Sequence, residues 1–173
     1  METSTLVTLL SFTIPTIVTG LIALYFFKEH TKNEDKRRSY LLKKDKQNIA
    51  LPLRLQAYER MSIFLERISP QGLIVRVSPS GDDKANYEKK LNKTIEQEFE
   101  HNLAQQIYMT PECWNVIITS KNAIINMIRK SLANTEIKNA QEMREDILQK
   151  SAGSESPTSV ALSYIKNEVH KII

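Results

Sequence analysis

A run of uncharged residues at the start of the chain limits its possible folds more than any other feature. From Thr3 to Phe27 the sequence carries no charge, and Lys28 begins a strongly basic stretch. As a helix, this run would extend about 37 Å at about 1.5 Å per residue, enough to cross a hydrocarbon core of about 30 Å with some tilt. The run therefore predicts a transmembrane helix, because a helix in a globular core rarely lacks charge for so long.

A cleaved signal peptide fits the same run poorly. The segment before it is Met1-Glu2, whose one charged side chain is acidic where a signal peptide is basic. The apolar run is longer than the core of a typical signal peptide, and no small-residue cleavage pattern follows it. We therefore expect an uncleaved membrane anchor.

The distribution of basic residues predicts the orientation of this anchor. No Lys or Arg precedes it and eight lie within residues 28–46, and such residues are retained on the cytoplasmic side of a membrane. The lone Cys113 suits that reducing compartment. The predicted organisation is an extracytoplasmic tail (1–4), a transmembrane helix (5–27), a basic juxtamembrane stalk (28–50) and a cytoplasmic helical domain (51–173).

Charge also bears on the partners. Residues 28–46 hold eight basic against four acidic side chains, whereas residues 47–173 hold sixteen against fifteen. A nucleic-acid-binding domain should carry a basic face of its own, so nucleic acid is a disfavoured partner. We expect the stalk to contact anionic lipid headgroups instead, through Lys28, Lys32, Lys36, Arg37 and Arg38.

The periodicity of apolar residues predicts a small all-α bundle for the rest of the chain. Pro52 either kinks the first helix or starts the next, and the apolar face that follows consists of Leu53, Ala57, Met61, Phe64, Leu65 and Ile68. Asp82 or Asp83 is expected to cap a long helix whose apolar residues recur every four positions, at Tyr87, Leu91, Ile95, Phe99, Leu103 and Ile107.

Two further helix starts can be read from the sequence. Thr110-Pro111-Glu112 combines a hydroxyl N-cap, a proline in the first turn and an acid at the positive end of the helix dipole. Pro157 opens a last helix after a small-residue linker at 151–156. Residues 73–77 are β-prone, and because one strand has no partner in its own chain, we expect an extended connector there.

The sequence contains no complete catalytic or metal-binding pattern. Glu98 and His101 form one Glu-x-x-His, half of the pattern of carboxylate-bridged di-iron sites, and the second half is missing. Cys113 lies at a helix start, where the dipole could lower a thiol pKa, but no histidine is near it in sequence. With four glycines, the chain has no glycine-rich phosphate loop. We expect a protein that is not an enzyme, with no cofactor, no metal and no small-molecule substrate.

Two polar stretches, residues 51–61 and 98–108, interleave Arg, Glu, Gln and Tyr with the apolar positions. These side chains either bond between the helices of the bundle or bind a second copy or another protein, for which Tyr and Arg are favoured anchors. The residues predicted for such a partner surface are Arg54, Tyr58, Arg60, His101 and Gln105.

The uncharged helix has two different faces when its residues are placed at about 100° intervals. Small and hydroxyl residues gather opposite a purely apolar face, and such residues let membrane helices approach closely. We predict that Thr16, Thr19 and Gly20 pack on another integral membrane protein or on a second copy. The alternative is that the hydroxyls bond to carbonyls of their own helix.

The anchor is followed by LPLRLQAYERMSIFLERISP at 51–70, LIVRV at 73–77 and EFEHNLAQQIY at 98–108. These stretches resemble an uncharacterised family of membrane-anchored proteins from Bacteroidota, and the similarity covers nearly the whole chain. The resemblance implies a bacterial inner membrane and no particular activity, cofactor or site residue.

Three functional hypotheses follow. The leading one is a non-enzymatic, single-span inner-membrane protein that acts as a scaffold or accessory subunit of a membrane complex. The alternative is a tether that holds a ribosome or nucleic acid at the membrane through the basic stalk, for which binding should fall steeply with salt. The third is a metal-dependent enzyme centred on Glu98 and His101.

Overall fold

The computed structural model describes the backbone of residues 2–152 and 156–173, and the side chains of residues 11, 13–152 and 156–173. Every regular element in those ranges is helical, which confirms the predicted all-α class. The elements are α1 (Glu2–Ile68), α2 (Pro70–Arg76), α3 (Lys84–Asn102), a 3-10 segment (Leu103–Tyr108), α4 (Pro111–Ala133), α5 (Ala140–Ala152) and α6 (Pro157–Ile172).

The chain divides into two compact units, Met1–Ile49 and Ala50–Ile173. The first unit is a length of α1 whose described side chains are all exposed. Within it, the hydroxyl of Thr31 donates to the carbonyl of Phe27 at 2.8 Å, as a helical threonine commonly does.

The predicted location, a single-pass protein of a bacterial inner membrane with its N-terminus outside, is wrong. In the part of the chain that the structure describes, no helix has both the length and the apolar character needed to cross a bilayer. The transmembrane helix predicted over 5–27 is a stretch of α1, and within it the side chains of residues 5–10 and 12 lie outside the described residues. The side chains of the predicted tail, 1–4, lie outside them as well.

In the second unit, α1 buries the face that its periodicity predicts. Ala57, Met61, Phe64, Leu65 and Ile68 are each fully buried. The helix continues through Pro52 and does not begin there, and Leu53, the first residue of the predicted face, is 45% exposed. The apolar face therefore starts one turn later than expected.

Residues 73–77 are not an extended connector, because most of them form α2. The hydroxyl of Ser69 accepts a hydrogen bond from the backbone N–H of Gly72, and Pro70 occupies the first turn, which is a favoured helix start. An alternating strand would place residues 73, 75 and 77 on one face. The structure instead buries Leu73, Ile74 and Val77 and leaves Val75 72% exposed, which is helical spacing.

The long helix predicted after Asp83 is shorter than expected. Asp83 caps it by accepting a hydrogen bond from the N–H of Ala85, but the α-helix ends at Asn102 and a 3-10 segment follows. Positions four apart diverge by about 40° in an α-helix and by about 120° in a 3-10 helix. Ile107 therefore leaves the buried face and is 73% exposed, and Leu103, the first residue of the 3-10 segment, is already 44% exposed.

An aromatic cluster joins α1, α3 and α4 in the core of the second unit. The ring of Phe99 lies 5.7 Å from that of Phe64 and is stacked at 5.5 Å on that of Trp114. The ammonium of Lys121 lies 4.5 Å from the Phe99 ring centroid and 2.8 Å from a carboxylate oxygen of Glu96. The ring face and the carboxylate together offset the lost hydration of this buried cation.

The remaining helices cover this core. α4 contacts α3, α5 and α6, while α2 and α3 also contact α5. The predicted start of α4 is confirmed, since the hydroxyl of Thr110 accepts a hydrogen bond from the N–H of Cys113. The predicted start of α6 at Pro157 is confirmed as well. Of the predicted linker 151–156, the first two residues belong to α5, and residues 153–155 lie outside the described residues.

Two Ile→Ala substitutions, one in the core of α4 and one in the 3-10 segment, test whether Ile107 lies outside the core. Ile125 is 7% exposed and Ile107 is 73% exposed. We expect Ile125→Ala to lower the free energy of unfolding by about 2–5 kcal/mol, because it leaves a cavity. Ile107→Ala, the matched control, should change it by about 0.5 kcal/mol or less. Urea unfolding of both variants measures the difference, and similar losses would show that the 3-10 segment is packed inward.

Candidate functional site

The reactive groups singled out in the sequence have different surroundings in the structure. Cys113 is fully buried. Burial raises the pKa of its thiol, and the neighbouring carboxylate of Glu168 raises it further by accepting a hydrogen bond from the thiol and through its charge. A thiol in this environment stays protonated, whereas the thiolate is the nucleophile.

Glu98 and His101 are engaged differently from each other. One carboxylate oxygen of Glu98 is 3.2 Å from both the Arg67 and the Arg76 guanidinium groups, so this acid bridges α1, α2 and α3. His101 is exposed. Among the described residues, no group of three His, Cys, Asp or Glu side chains is placed to hold a metal ion.

The five residues of the predicted partner surface do not form one patch. Tyr58 is buried and Arg54 is partly buried, while Arg60 and His101 are exposed and Gln105 is partly buried in the 3-10 segment. The structure joins the first two, since a terminal nitrogen of Arg54 donates to the hydroxyl of Tyr58 at 3.5 Å. In the described hydrogen bonds and ion pairs, neither is joined to Arg60, His101 or Gln105.

The residues predicted for helix packing and lipid contact all lie on the first unit, on the exposed surface of α1. The hydroxyl of Thr19 donates to the carbonyl of Pro15 at 2.6 Å, the intrahelical bond that was the alternative to packing. A side chain at Gly20 would meet no atom within 4 Å. The remaining residues in these sets are Thr16, Lys28, Lys32, Lys36, Arg37 and Arg38. Their predicted partners, anionic lipid headgroups and other membrane proteins, stay predictions that the structure does not test.

A groove that the sequence did not predict crosses the second unit between α1, α2 and α6. We call it the α1–α2–α6 groove; its volume is about 690 Å³. Its apolar lining comes from Ile63 on α1, Val75 on α2 and Leu162 on α6. Ile63 is 50% exposed and Val75 is 72% exposed, so the groove presents large apolar side chains to its opening.

Close contact between α1 and α2 shapes this groove. A Cβ atom added to Gly72 would lie 2.6 Å from the carbonyl oxygen of Glu66, a separation that backbone atoms do not tolerate. The absence of a side chain therefore allows α2 to fold back against the end of α1. One terminal nitrogen of Arg76 donates to the carbonyl of Arg67 at 2.8 Å, which satisfies one of the unpaired carbonyls at the end of α1.

The rim of the groove is basic. Arg67, Arg76 and Lys166 line it, and Glu66 is the acid among the lining residues. The two guanidinium groups share a single carboxylate, that of Glu98. Lys166 makes no ion pair or hydrogen bond with any described residue. The positive charge of the rim is therefore only partly neutralised within the unit.

Two sequence signals could have indicated this groove. Ile63 falls outside the apolar face of α1 in the sequence pattern, which places a large apolar side chain on the solvent side. Pro70, Leu73, Ile74 and Val77 follow helical spacing, which leaves Val75 outward. The contribution of Leu162 comes from almost a hundred residues further along the chain, and no local pattern predicts it.

The environment of Cys113 predicts an unreactive thiol. In the native protein at pH 8, we expect labelling by iodoacetamide at least about 100-fold slower than in the unfolded protein, because the thiol is buried and protonated. Mass spectrometry of timed samples with and without urea measures the two rates. Native labelling as fast as that of the unfolded chain would mean that Cys113 is accessible and ionised.

The chain matches a family of unknown function, DUF7935, over residues 4–172, and it belongs to that family. The match confirms the resemblance to an uncharacterised family. The finer description, membrane-anchored proteins of Bacteroidota, has no support in the match. None of the curated proteins and none of the solved structures matches the chain.

Proposed function

We propose that this member of a family without an assigned activity is a non-enzymatic helical scaffold or accessory subunit, which binds a partner protein in the α1–α2–α6 groove. The observation that carries the proposal is the pair of exposed apolar side chains, Ile63 and Val75, placed together in one groove. Grooves of this kind between helices accept the apolar face of an amphipathic helix.

The charge of the rim indicates the kind of helix that fits. Arg67, Arg76 and Lys166 surround the apolar lining, against one lining acid, Glu66. Acidic residues beside the apolar face of a partner helix would pair with this rim, while basic ones would be repelled. The partner segment is therefore an amphipathic helix with acidic flanks.

The state of the reactive groups supports a binding role over a catalytic one. The pKa of the Cys113 thiol is raised by burial, and the carboxylate of Glu98 is occupied by two arginines. Neither group is free to act as a nucleophile or a base. The exposed apolar side chains Ile63 and Val75 lie away from both groups, in a groove that suits protein contacts.

Site-specific photo-crosslinking in the native host tests this proposal. With p-benzoylphenylalanine at position 75, we expect an adduct with one other protein, because this side chain lies in the groove. The same probe at Gln141, exposed on α5, is the positional control and should give none. Equal adducts at both positions would contradict a specific groove, and an adduct of twice the chain mass would indicate a second copy instead.

The charge of the rim is tested on the same adduct. Lys166→Glu should reduce its yield at least about fivefold, because the reversed charge repels an acidic partner. Lys171→Glu, on the same helix and outside the groove, makes an identical change in net charge and should leave the yield unchanged. Equal effects of the two substitutions would contradict charge complementarity at the groove.

The second candidate function is nucleic-acid binding through residues 28–46. One observation favours it: four lysines and one acid, Asp35, lie along one face of α1, the lysines being Lys28, Lys32, Lys36 and Lys43. Aligned cations of this kind can follow a phosphate backbone, with an affinity that falls as salt rises.

Fluorescence anisotropy with a single-stranded RNA oligonucleotide tests this second function. Replacing Lys28, Lys32 and Lys36 with Gln should weaken binding and reduce the slope of log K against log salt by about 2. The matched control replaces Lys89, Lys93 and Lys130, which are exposed in the second unit. Salt-independent binding, or an equal loss in the control, would exclude this function.

A further inference from the structure

A second, smaller groove lies in the second unit, between the stretch of α1 that begins this unit and the end of the 3-10 segment. We call it the Arg54 groove; its volume is about 310 Å³. Leu53 lines one side, and Ile107 and Met109 line the other. Leu53 is 45% exposed and Ile107 is 73% exposed, so both sides present apolar surface.

Arg54 lies between these apolar sides, and its guanidinium is held in a fixed position. The Nε of Arg54 donates to the carbonyl of Tyr108 at 3.3 Å, and one terminal nitrogen donates to the hydroxyl of Tyr58 at 3.5 Å. A guanidinium has five N–H donors. Among the described residues the other three have no hydrogen-bond partner, and no carboxylate lies within 4.0 Å of the group.

The groups that surround Arg54 do not neutralise it. Tyr58 is 2% exposed, and burial raises the pKa of its hydroxyl, so the phenol stays uncharged and cannot act as a counter-ion. Glu168 is the acid whose charge also reaches Tyr58. It makes no ion pair with Arg54, and one of its carboxylate oxygens is buried without a hydrogen-bond partner among the described residues. Arg54 is thus a partly buried cation without an acidic partner in the described residues.

We propose that the Arg54 groove binds an acidic side chain of a partner protein, with an apolar residue on each side of it in the partner sequence. The free N–H donors of Arg54 match a carboxylate, which a guanidinium can bind through two parallel hydrogen bonds. The apolar sides exclude water and strengthen these charge-assisted bonds. Leu53 and Ile107 then contact the two flanking apolar residues.

This surface is separate from the α1–α2–α6 groove, with which it shares no lining residue. It therefore goes beyond the proposed scaffold function and gives the second unit two binding surfaces. The two surfaces differ in charge. The α1–α2–α6 groove has a rim of three basic side chains, and the Arg54 groove has a single central guanidinium.

The test uses the ¹⁵N-labelled full chain and a synthetic nonapeptide with Leu-Glu-Leu at its centre, acetylated and amidated at its ends. Titration followed by NMR chemical shifts should show saturable binding that perturbs residues around Arg54. The matched peptide with Gln in place of Glu should bind at least about tenfold more weakly, because it forms no charge-assisted pair.

Variants then assign the effect to Arg54. Arg54→Met should remove the preference for Glu over Gln, whereas Arg60→Met, which removes an exposed arginine from the same helix, should preserve it. Ile107→Ser, at a position that is 73% exposed, should weaken both peptides without affecting the fold. Because Arg54→Met also removes bonds to Tyr58 and Tyr108, its melting temperature is measured, and Arg54→Lys provides a second variant that keeps the charge but loses bidentate pairing.

Three outcomes would overturn the proposal. Equal binding of the Glu and Gln peptides would show that no carboxylate is recognised. An equal loss of preference in Arg60→Met would place the effect outside the groove. Tighter binding of a nonapeptide whose only carboxylate is its free C-terminus would show that the groove recognises chain ends and not acidic side chains.

Discussion

The contact of Phe99 with three other side chains is the interaction on which the second unit depends. Its ring touches Phe64 on α1 and Trp114 on α4, and the Lys121 ammonium covers the ring. Three helices are thereby held at one point. Because the cation is buried, it also requires Glu96, and the apolar and ionic contacts are therefore lost together if the three helices separate.

Both grooves are consequences of this arrangement. α1 is fixed at Phe64, so the neighbouring Ile63 is directed to the surface, where it meets Val75 and Leu162. α3 is fixed at Phe99, and the change to a 3-10 segment after Asn102 then turns Ile107 outward beside Leu53. The elements that build the core thus also expose apolar side chains. Ile63 lies outside the buried face of α1, and Ile107 follows the point where the α-helix changes to a 3-10 helix.

Local signals in the sequence predicted local structure well. The caps at Asp83 and Thr110 and the proline at 157 each mark a helix start correctly, because a helix end depends on a few adjacent residues. Residues 73–77 were missed because seven residues are too few to show a helical period against β-branched composition. The prediction that α3 continues to Ile107 is wrong. The apolar residues recur every four positions up to Ile107, and that spacing in the sequence does not show that the helix changes from α to 3-10 after Asn102. The α1–α2–α6 groove joins residues from 63 to 162, and no local pattern contains it.

The bridge at Glu98 has a consequence for how the basic rim can respond to an acidic occupant. One oxygen serves both Arg67 and Arg76, and Arg76 also donates to the carbonyl of Arg67. Arg67, the more exposed of the two, can therefore turn to a new acid while Arg76 keeps its ion pair with Glu98. The exchange breaks one partly exposed ion pair, a loss of about 0–1 kcal/mol, and Glu98 still has its ion pair with Arg76. Arg67 can thus exchange its ion pair with Glu98 for one with a bound acid, without disturbing the helices that carry the rim.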